Sequence, residues 1–224
     1  MPNPKAIEPE LPLKAEERIL AAATEEFAAN GFHGARTQAI ADAAGVNKAM
    51  LHYYFRSKEN LYTEVMKTAF RKVLMRLGRV WTEPGPVRVK IEMVVDSYMD
   101  AYEENPWLLK IILREVEDGG EKLKRAVQEL KANEFQAQGF NPPQILGKAA
   151  QELGIPPRKA THFLVNIIGM CAISFIAPLM LQNLLDFEIP DMRAFLKDRR
   201  EAIKAMVLAS AETLQKKKPG RSHP

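Results

Sequence analysis

The sequence predicts an all-α protein in which an N-terminal helix-turn-helix domain is followed by a larger helical domain. Apolar residues recur at the three- and four-residue spacing of a helix along almost every segment, and no run alternates as a half-buried strand does. Glycine and proline clusters, as at 84–86 and 139–143, separate these segments. The 224 residues are 46% hydrophobic and 27% charged, which suffices for a core and excludes intrinsic disorder.

This periodicity and the glycine and proline clusters predict ten helices, whose lengths divide the chain into two parts. The first three helices are short and crowded together, whereas most of the later ones are long. We therefore expect two functional parts, residues 1–58 and residues 59–224, connected by the helix that begins at Lys58. The predicted helices lie near 14–30, 37–44, 47–54, 58–81, 87–104, 106–117, 121–138, 143–153, 157–185 and 190–215.

The net charge of +4 resides in the C-terminal tail. Residues 216–224 contain four Lys and Arg residues and no acid, so the rest of the chain is balanced. A basic tail is by itself a weak indication of nucleic-acid binding, because solvated charged ends are common. A nucleic-acid site must therefore be sought in local patterns.

Cysteine content and the N-terminal sequence indicate the compartment. Cys171 is the single cysteine, which excludes an internal disulfide and a multi-cysteine metal cluster and is typical of a reducing environment. Residues 1–14 lack the apolar core of a signal peptide. We expect a cytoplasmic protein that needs no metal and no cofactor.

Residues 37–55 have the pattern of a helix-turn-helix. Thr37 is placed to cap a first short helix, in which Ile40 and several alanines form a narrow apolar face. Gly45 stands where that helix must stop, and Asn47 can cap the second helix. The pattern predicts two short helices locked around a glycine turn.

The second helix of this pair has a packing face and an exposed face. Leu51, Tyr54 and Phe55 recur at helical spacing, and we expect them to pack beneath it. A major groove admits one helix, whose donors and apolar side chains contact base edges and thymine methyls, while neighbouring polar side chains hold phosphates. The predicted DNA-binding residues are Arg36, Thr37, Gln38, Asn47, Lys48, Ala49, Met50, His52, Tyr53 and Lys58.

A helical hairpin with a solvated polar face is the alternative interpretation of residues 37–55. The cap, the turn glycine, the exposed donors and the flanking cations occur together, however, and residues 31–58 carry a net charge of +3. This combination favours DNA binding.

The same region resembles a known family. The stretches Arg18–Phe27, Asn30–Phe32, Ala44–Val46 and Leu51–Leu61 are similar to the tetracycline-repressor (TetR) family of transcriptional regulators. The similarity is dense over about 47 residues, and beyond them it lies in helix count, chain length and two long terminal helices. It implies a regulator, typically a repressor, that binds a palindromic double-stranded operator as a homodimer and leaves it when a small-molecule effector occupies the larger domain.

The resemblance also implies which residues contact the operator. His52 departs from the tyrosine that is frequent at its position, and Met50 departs from a small or hydroxyl residue. These departures leave the fold intact and concern the base preference. The implied contacts are Thr37, Asn47, Lys48, Ala49, Met50, His52, Tyr53 and Lys58.

The long-helix part contains an uncharged run. The 26 residues between Lys159 and Asp186 include no Asp, Glu, Lys or Arg, which is long and apolar enough to span a bilayer. Polar residues such as His162 and Asn183 argue against a membrane helix, and a helix apolar on all sides can equally be buried in protein on all sides. We expect burial and no membrane. The alternative is a membrane- or lipid-associated helical interaction module that does not bind DNA.

The last predicted helix has a stripe of apolar and small residues at helical spacing. Ala202, Ala205 and Ala209 allow close helix approach. We expect the helices near 157–185 and 190–215 to form a four-helix interface in a homodimer, the alternative being that the stripe packs within one subunit. The stripe comprises Met192, Phe195, Leu196, Arg199, Ala202, Ile203, Met206, Ala209 and Ser210.

A ligand pocket is expected between the helices that span residues 87–185. Aromatic residues and methionine with a few polar groups suit an adaptable site for a largely apolar small molecule, although each is also an ordinary core residue. His162 and Asn166 lie one helical turn apart and would share a face. The candidate lining residues are Met93, Tyr98, Tyr102, Trp107, Phe135, His162, Phe163, Asn166 and Met170.

The sequence gives no indication of a catalytic motif. Gly119-Gly120 and Pro84-Gly85-Pro86 lack the strand context of a phosphate-binding loop, and the four histidines form no metal-ligand pattern. Cys171 lies in the apolar run, where a thiol behaves as an inert small hydrophobe. We expect no catalytic residue and no enzyme activity.

Overall fold

A computed structural model describes residues 14–135 and 141–216, which form ten α-helices and no strand. The all-α prediction is confirmed, and most predicted helix bounds agree within one or two residues. The helices are α1 (Ala15–Gly34), α2 (Thr37–Ala43), α3 (Lys48–Phe55), α4 (Lys58–Thr82), α5 (Val87–Glu104), α6 (Pro106–Glu117), α7 (Glu121–Leu130), α8 (Pro142–Glu152), α9 (Pro157–Leu185) and α10 (Met192–Lys216).

Two helix ends differ from the prediction. The predicted helix 121–138 is α7 followed by a π-helical segment, Lys131–Phe135, and its last three positions lie outside the described residues. The break expected at Asn30-Gly31 is a kink within α1, where Gly31 has a φ of 67°. The basic tail beyond Lys216 also lies outside the described residues.

The chain divides into two compact units between Met66 and Lys67, inside α4. The sequence predicts a functional boundary after Lys58, where α4 begins. The first turns of α4 therefore contribute side chains to the N-terminal unit, and its remaining turns belong to the larger unit.

The N-terminal unit packs α1, α2, α3 and the start of α4 around a small apolar core. Ile19, Phe27 and Ile40 are fully buried, and the ring of Tyr62 on α4 meets the ring of Phe27 edge-on at a centroid distance of 4.7 Å. Burying side chains of this size stabilises a fold by roughly 1.5–3 kcal/mol each. This core fixes the helix-turn-helix as a rigid unit.

The core of the larger unit lies where α5 packs against α9 and α10. Ile203, Val207 and Ala211 on α10 are spaced one turn apart and turn inward together. The predicted stripe on α10 is therefore split, because Ile203 is fully buried whereas Met206 is 55% exposed.

Ion pairs clamp α10 onto α5. The Arg200 guanidinium contacts the carboxylates of Asp96, Asp100 and Glu103 at 2.7–3.1 Å. Burial lowers the pKa of Arg200, but hydrogen bonds to Glu103, Asp100 and Asp96 raise it by more, so the guanidinium stays charged. A half-buried cation with three acidic partners holds the two helices in one register.

Candidate nucleic-acid interface and ligand cavity

The turn between α2 and α3 is closed by backbone hydrogen bonds of the Schellman type. The Gly45 amide donates to the Asp42 carbonyl at 3.1 Å, and the Val46 amide donates to the Ala41 carbonyl at 3.0 Å. Gly45 has a φ of 64°, which a residue with a Cβ adopts only with strain. The sequence prediction of a glycine stop at this position is confirmed.

Side chains fix both helices of the motif, although one predicted cap is wrong. The Asn47 Oδ1 accepts from the Met50 amide at 2.8 Å, so Asn47 caps α3 as predicted.

Thr37 does not cap α2, because the helix begins at Thr37 itself and Arg36 holds the cap position without a side-chain bond. The Arg36 amide instead donates to Glu26 Oε1 on α1 at 3.0 Å. Arg18 on α1 also donates to the Ala44 carbonyl at 3.0 Å.

One face of α3 is exposed and polar. Leu51 and Phe55 are buried as predicted, but Tyr54 is 41% exposed and so does not pack beneath the helix. Tyr54 contacts the ring of Tyr53 edge-on at 5.4 Å, and Tyr53 itself is 67% exposed. The exposed residues of α3 and its cap are Asn47, Lys48, Ala49, Met50, His52, Tyr53 and Tyr54.

The predicted flanking residues differ in how they are held. Arg36 and Gln38 are exposed, Thr37 is half-buried, and the Gln38 amide donates to Asp42 Oδ1 at 2.8 Å. The Lys58 ammonium donates to the His33 carbonyl at 3.3 Å and lies 5.0 Å from the centroid of the Phe32 ring. These contacts give the Lys58 charge a defined position.

Sequence reasoning missed Arg56 as a member of this surface. Its guanidinium lies 5.7 Å from the centroid of the Tyr53 ring, and the residue is exposed directly after α3. Arg56 also has a φ of 64°, so this cation stands on a left-handed turn. The sequence does show a cation three residues after Tyr53, which is predicted to be exposed. Arg56 was counted in the net charge of residues 31–58 but was not included among the predicted DNA-binding residues.

In the larger unit, α4, α5, α8 and α9 surround an apolar cavity of about 140 Å³. None of the described side chains that line it is charged. Two predicted ligand residues, Tyr98 and Phe163, line this cavity. The other members of its wall include Leu77, Trp81, Val94, Ile145, Leu153 and Ile167.

The remaining predicted ligand residues lie elsewhere. Phe135 and Tyr102 are buried away from the cavity, Tyr102 against the Phe175 ring at 5.5 Å, and Trp107 is half-buried. Met93 is 41% exposed, and Met170 lines a groove on the other side of α9.

His162 and Asn166 share a face as predicted, but it is the exposed face of α9. Phe163 and Ile167, each one position further along, turn toward the cavity instead. The prediction that His162 and Asn166 face the interior is therefore wrong. The inward face of α9 lies one residue further along the chain, which is about 100° around the helix axis.

Cys171 is fully buried, and burial raises its pKa to about 12. The thiol therefore stays protonated at neutral pH, which agrees with an inert core residue. In the described part of the chain, no group of three or more His, Cys, Asp or Glu side chains is placed to hold a metal ion.

The comparison with known families decides the identity of the N-terminal unit. The family described as bacterial regulatory proteins, tetR family, matches residues 19–65. The regulator RutR from Escherichia coli K12 is 50% identical over 52 residues, which are 23% of this chain and 24% of RutR. The repressor NicS from Pseudomonas putida is 26% identical over 158 residues, 70% of this chain and 74% of NicS.

The N-terminal unit is a TetR-family domain. The chain spans about a quarter of the length of RutR. RutR and NicS are both named as transcriptional regulators, which agrees with the prediction of no enzyme activity.

Solved structures extend the likeness in fold over most of the chain. A transcriptional regulator from Streptomyces coelicolor, SCO4942, superposes with a TM-score of 0.59 at 23% identity, covering 86% of this chain and 98% of its own. The fatty acid degradation regulator FadR from Bacillus halodurans gives a TM-score of 0.60 at 17% identity, covering 88% and 96%.

The longest helix in the described part of the chain, α9, presents apolar side chains to solvent. Val165 is 59% exposed and Ile173 is 44% exposed, and with Gly169, Met206 and Ser210 they line a shallow groove, here called the α9–α10 groove. Residues 158–185 are long and apolar enough to cross a membrane by length and composition, and 22% of their most apolar window is buried. Burial on all sides is thus not achieved within one chain.

Proposed function

We propose that this chain is a homodimeric TetR-family repressor that binds a palindromic operator through α3 and is released by a small-molecule effector. The observation that carries the proposal is the exposed face of α3, where donors and cations stand on a helix fixed by the Asn47 cap and the Gly45 turn. Its place of action is the cytoplasm.

The operator contacts divide into those that read bases and those that hold the backbone. Lys48 is suited to a guanine edge or a phosphate, and Ala49 and Met50 are suited to thymine methyls. Phosphate contacts fix the register of the helix without reading sequence, and they fall to the long donors around α3. These backbone contacts are Arg36, Thr37, Gln38, Asn47, His52, Tyr53, Arg56 and Lys58.

The α9–α10 groove supports dimerisation. It combines exposed Val165, Ile173 and Met206 with Gly169 and Ser210, whose small size lets another helix approach closely. We propose that the same helices of a second copy fill it across a twofold axis. Dimerisation also supplies what one short helix lacks, since two recognition helices about 34 Å apart read two half-sites of a palindrome.

Release by an effector is supported by the side chains that α4 carries. Leu74, Leu77 and Trp81 of α4 line the cavity, and α4 begins three residues after α3 ends at Phe55. A ligand that binds one arrangement of these side chains more tightly shifts the population of α4 toward it. Repression, as opposed to activation, is supported by the name of NicS.

Selection of bound fragments from the source genome tests the proposal. The full chain is incubated with sheared genomic DNA at near-physiological salt, where non-specific electrostatic binding is weak. We expect enrichment of inverted repeats with half-sites one helical turn, or a multiple of it, apart. Folded protein that enriches no sequence contradicts the proposal, and direct repeats contradict the symmetric dimer.

A pair of lysine variants then tests the role of α3. Lys48→Ala removes an exposed cation from α3 and should weaken binding to the selected operator about tenfold or more. Lys110→Ala removes a cation that is also exposed, from α6, and should leave affinity unchanged. Equal effects of the two substitutions on titrations monitored by fluorescence anisotropy would show that net charge, not the α3 surface, governs binding.

The apolar exposure of α9 also favours the alternative of a membrane- or lipid-associated module. That alternative predicts sedimentation with vesicles of phosphatidylcholine and phosphatidylglycerol in the absence of DNA. We expect the protein to remain in the supernatant as a dimer. Vesicle binding without operator selection would favour the alternative.

A further inference from the structure

The cavity has the size of one small ring. Its volume is about 140 Å³. An engineered apolar cavity of about 150 Å³ in another protein stays dry and binds benzene, which sets the scale. A ligand that enters without rearranging the walls therefore has about one six-membered ring and a few substituent atoms.

The walls of the cavity select against charge. The described side chains that line it are aliphatic or aromatic. The nearby cation, Lys90, lies 5.6 Å from the Trp81 ring centroid, but its ammonium is already 2.8 Å from the Glu152 carboxylate. A carboxylate ligand would lose its hydration and meet no positive group among the described lining side chains, which is costly in an apolar site.

One side chain of the described wall carries a hydroxyl group. Tyr98 lines the cavity, and its hydroxyl interacts electrostatically with Tyr102 and Cys171. Burial, with smaller contributions from Tyr102 and Cys171, raises the pKa of Tyr98 above its ordinary value, so the phenol stays neutral. A neutral phenol both donates and accepts a hydrogen bond.

We propose that the cavity binds a neutral, single-ring apolar compound with one hydroxyl or carbonyl group, which the Tyr98 hydroxyl recognises. The assignment of this compound as the effector rests on the proposed function. Its binding does not, because it is measured on the protein without DNA. A hydrophobic ring supplies most of the affinity, and the hydrogen bond to Tyr98 supplies the selectivity.

Three probes that differ in one substituent test the chemistry. p-Cresol carries a hydroxyl, toluene carries none, and 4-methylbenzoate carries a carboxylate on the same ring. Binding to the full-length protein is followed by isothermal titration calorimetry. We expect p-cresol to bind about fivefold more tightly than toluene, as one hydrogen bond contributes, and 4-methylbenzoate to bind at least tenfold more weakly than p-cresol. Tighter binding of 4-methylbenzoate than of p-cresol overturns the proposal. The proposal also fails if neither p-cresol nor toluene binds at millimolar concentration.

A matched pair of tyrosine variants tests the residue. Tyr98→Phe removes the hydroxyl from the cavity and should abolish the preference for p-cresol over toluene while toluene still binds. Tyr102→Phe removes a neighbouring buried hydroxyl that does not line the cavity, and it should keep the preference. Loss of the preference in both variants, or in neither, overturns the assignment to Tyr98.

A size probe and a DNA measurement complete the test. 4-Phenylphenol adds a second ring and should bind at least tenfold more weakly than p-cresol, and equal affinity contradicts the size limit. If p-cresol binds but leaves the operator complex intact, the ligand class stands and the effector role in the proposed function fails. If the protein binds the operator but binds neither p-cresol nor toluene, the proposed DNA-binding function holds and the proposed ligand class is wrong.

Discussion

The two units of this chain expose surfaces of opposite chemistry, although both are built from helices alone. On α3 most exposed side chains are hydrogen-bonding or basic, as in Lys48 and His52, and the large apolar side chains of Leu51 and Phe55 are buried. On α9 the exposed side chains include Val165 and Ile173, and a glycine lies between them. The first surface suits a hydrated, charged partner such as DNA, and the second suits a desolvated one such as another helix. In an all-helical protein, partner chemistry is therefore carried by what each helix leaves exposed.

The largest expected effect comes from placing a charge on the apolar surface. Val165→Glu puts a carboxylate into the α9–α10 groove, where a dimer would bury it without a partner. A cost of about 3 kcal/mol corresponds to more than a hundredfold weaker dimerisation. We expect a shift from dimer to monomer in sedimentation equilibrium and a matching loss of operator affinity.

Val116→Glu is the matched control for this prediction. Val116 on α6 is 65% exposed, close to the 59% of Val165, but it lies outside the α9–α10 groove. The control should remain dimeric and bind the operator normally. Dissociation in both variants, or in neither, would remove the distinction between the two apolar positions.

The next effect concerns the backbone of the helix-turn-helix. Gly45→Ala places a Cβ on a residue with a φ of 64°, and no heavy atom beyond its neighbours lies within 4 Å of that Cβ. The cost is therefore backbone strain alone, about 1–2 kcal/mol. Urea unfolding should report this loss, whereas Gly85→Ala in the loop before α5 should be neutral or slightly stabilising. A neutral Gly45→Ala would contradict the left-handed turn.

The smallest effect separates folding from DNA recognition at one residue. Asn47→Ala removes the α3 cap and should lower the free energy of unfolding by about 1 kcal/mol. Asn47→Asp keeps a capping oxygen, so stability should be unchanged, but its negative charge faces the DNA and should weaken operator binding. Chemical denaturation and anisotropy titrations measure the two quantities on the same samples. Equal operator affinity of Asn47→Asp and the unchanged protein would place Asn47 outside the interface.

The helix-turn-helix was predictable because its determinants are local. The Gly45 stop and the Asn47 cap act within a few residues of their own positions, and the structure reproduces both. The prediction for Tyr54 was wrong because helical spacing from Leu51 allows the residue three or four positions later to be buried. Phe55 is buried, whereas Tyr54 is exposed. Thr37 failed as a cap because Arg36 is held by Glu26 on α1, a contact between distant positions in the sequence.

The cavity was harder to predict because α9 carries little directional information. Its residues are uncharged throughout, so the pattern does not tell which side is covered. Packing against α5 and α8 turns Phe163 inward and leaves His162 outside, and that choice depends on long-range contacts. Most of the wall is aliphatic, as in Ile145 and Leu153, whereas the prediction favoured aromatic residues and methionine.

The cap at Asn47 also bears on how operator preference can diverge among descendants of this chain. Its oxygen is committed to the Met50 amide, so a substitution there alters folding and recognition together. Ala49 and Met50 are exposed on the same helix, and the cap of α3 uses neither of their side chains. Mutations at Ala49 and Met50 can change which half-site is favoured while leaving the domain equally stable. Drift toward new operators should therefore accumulate at those two positions and spare Asn47.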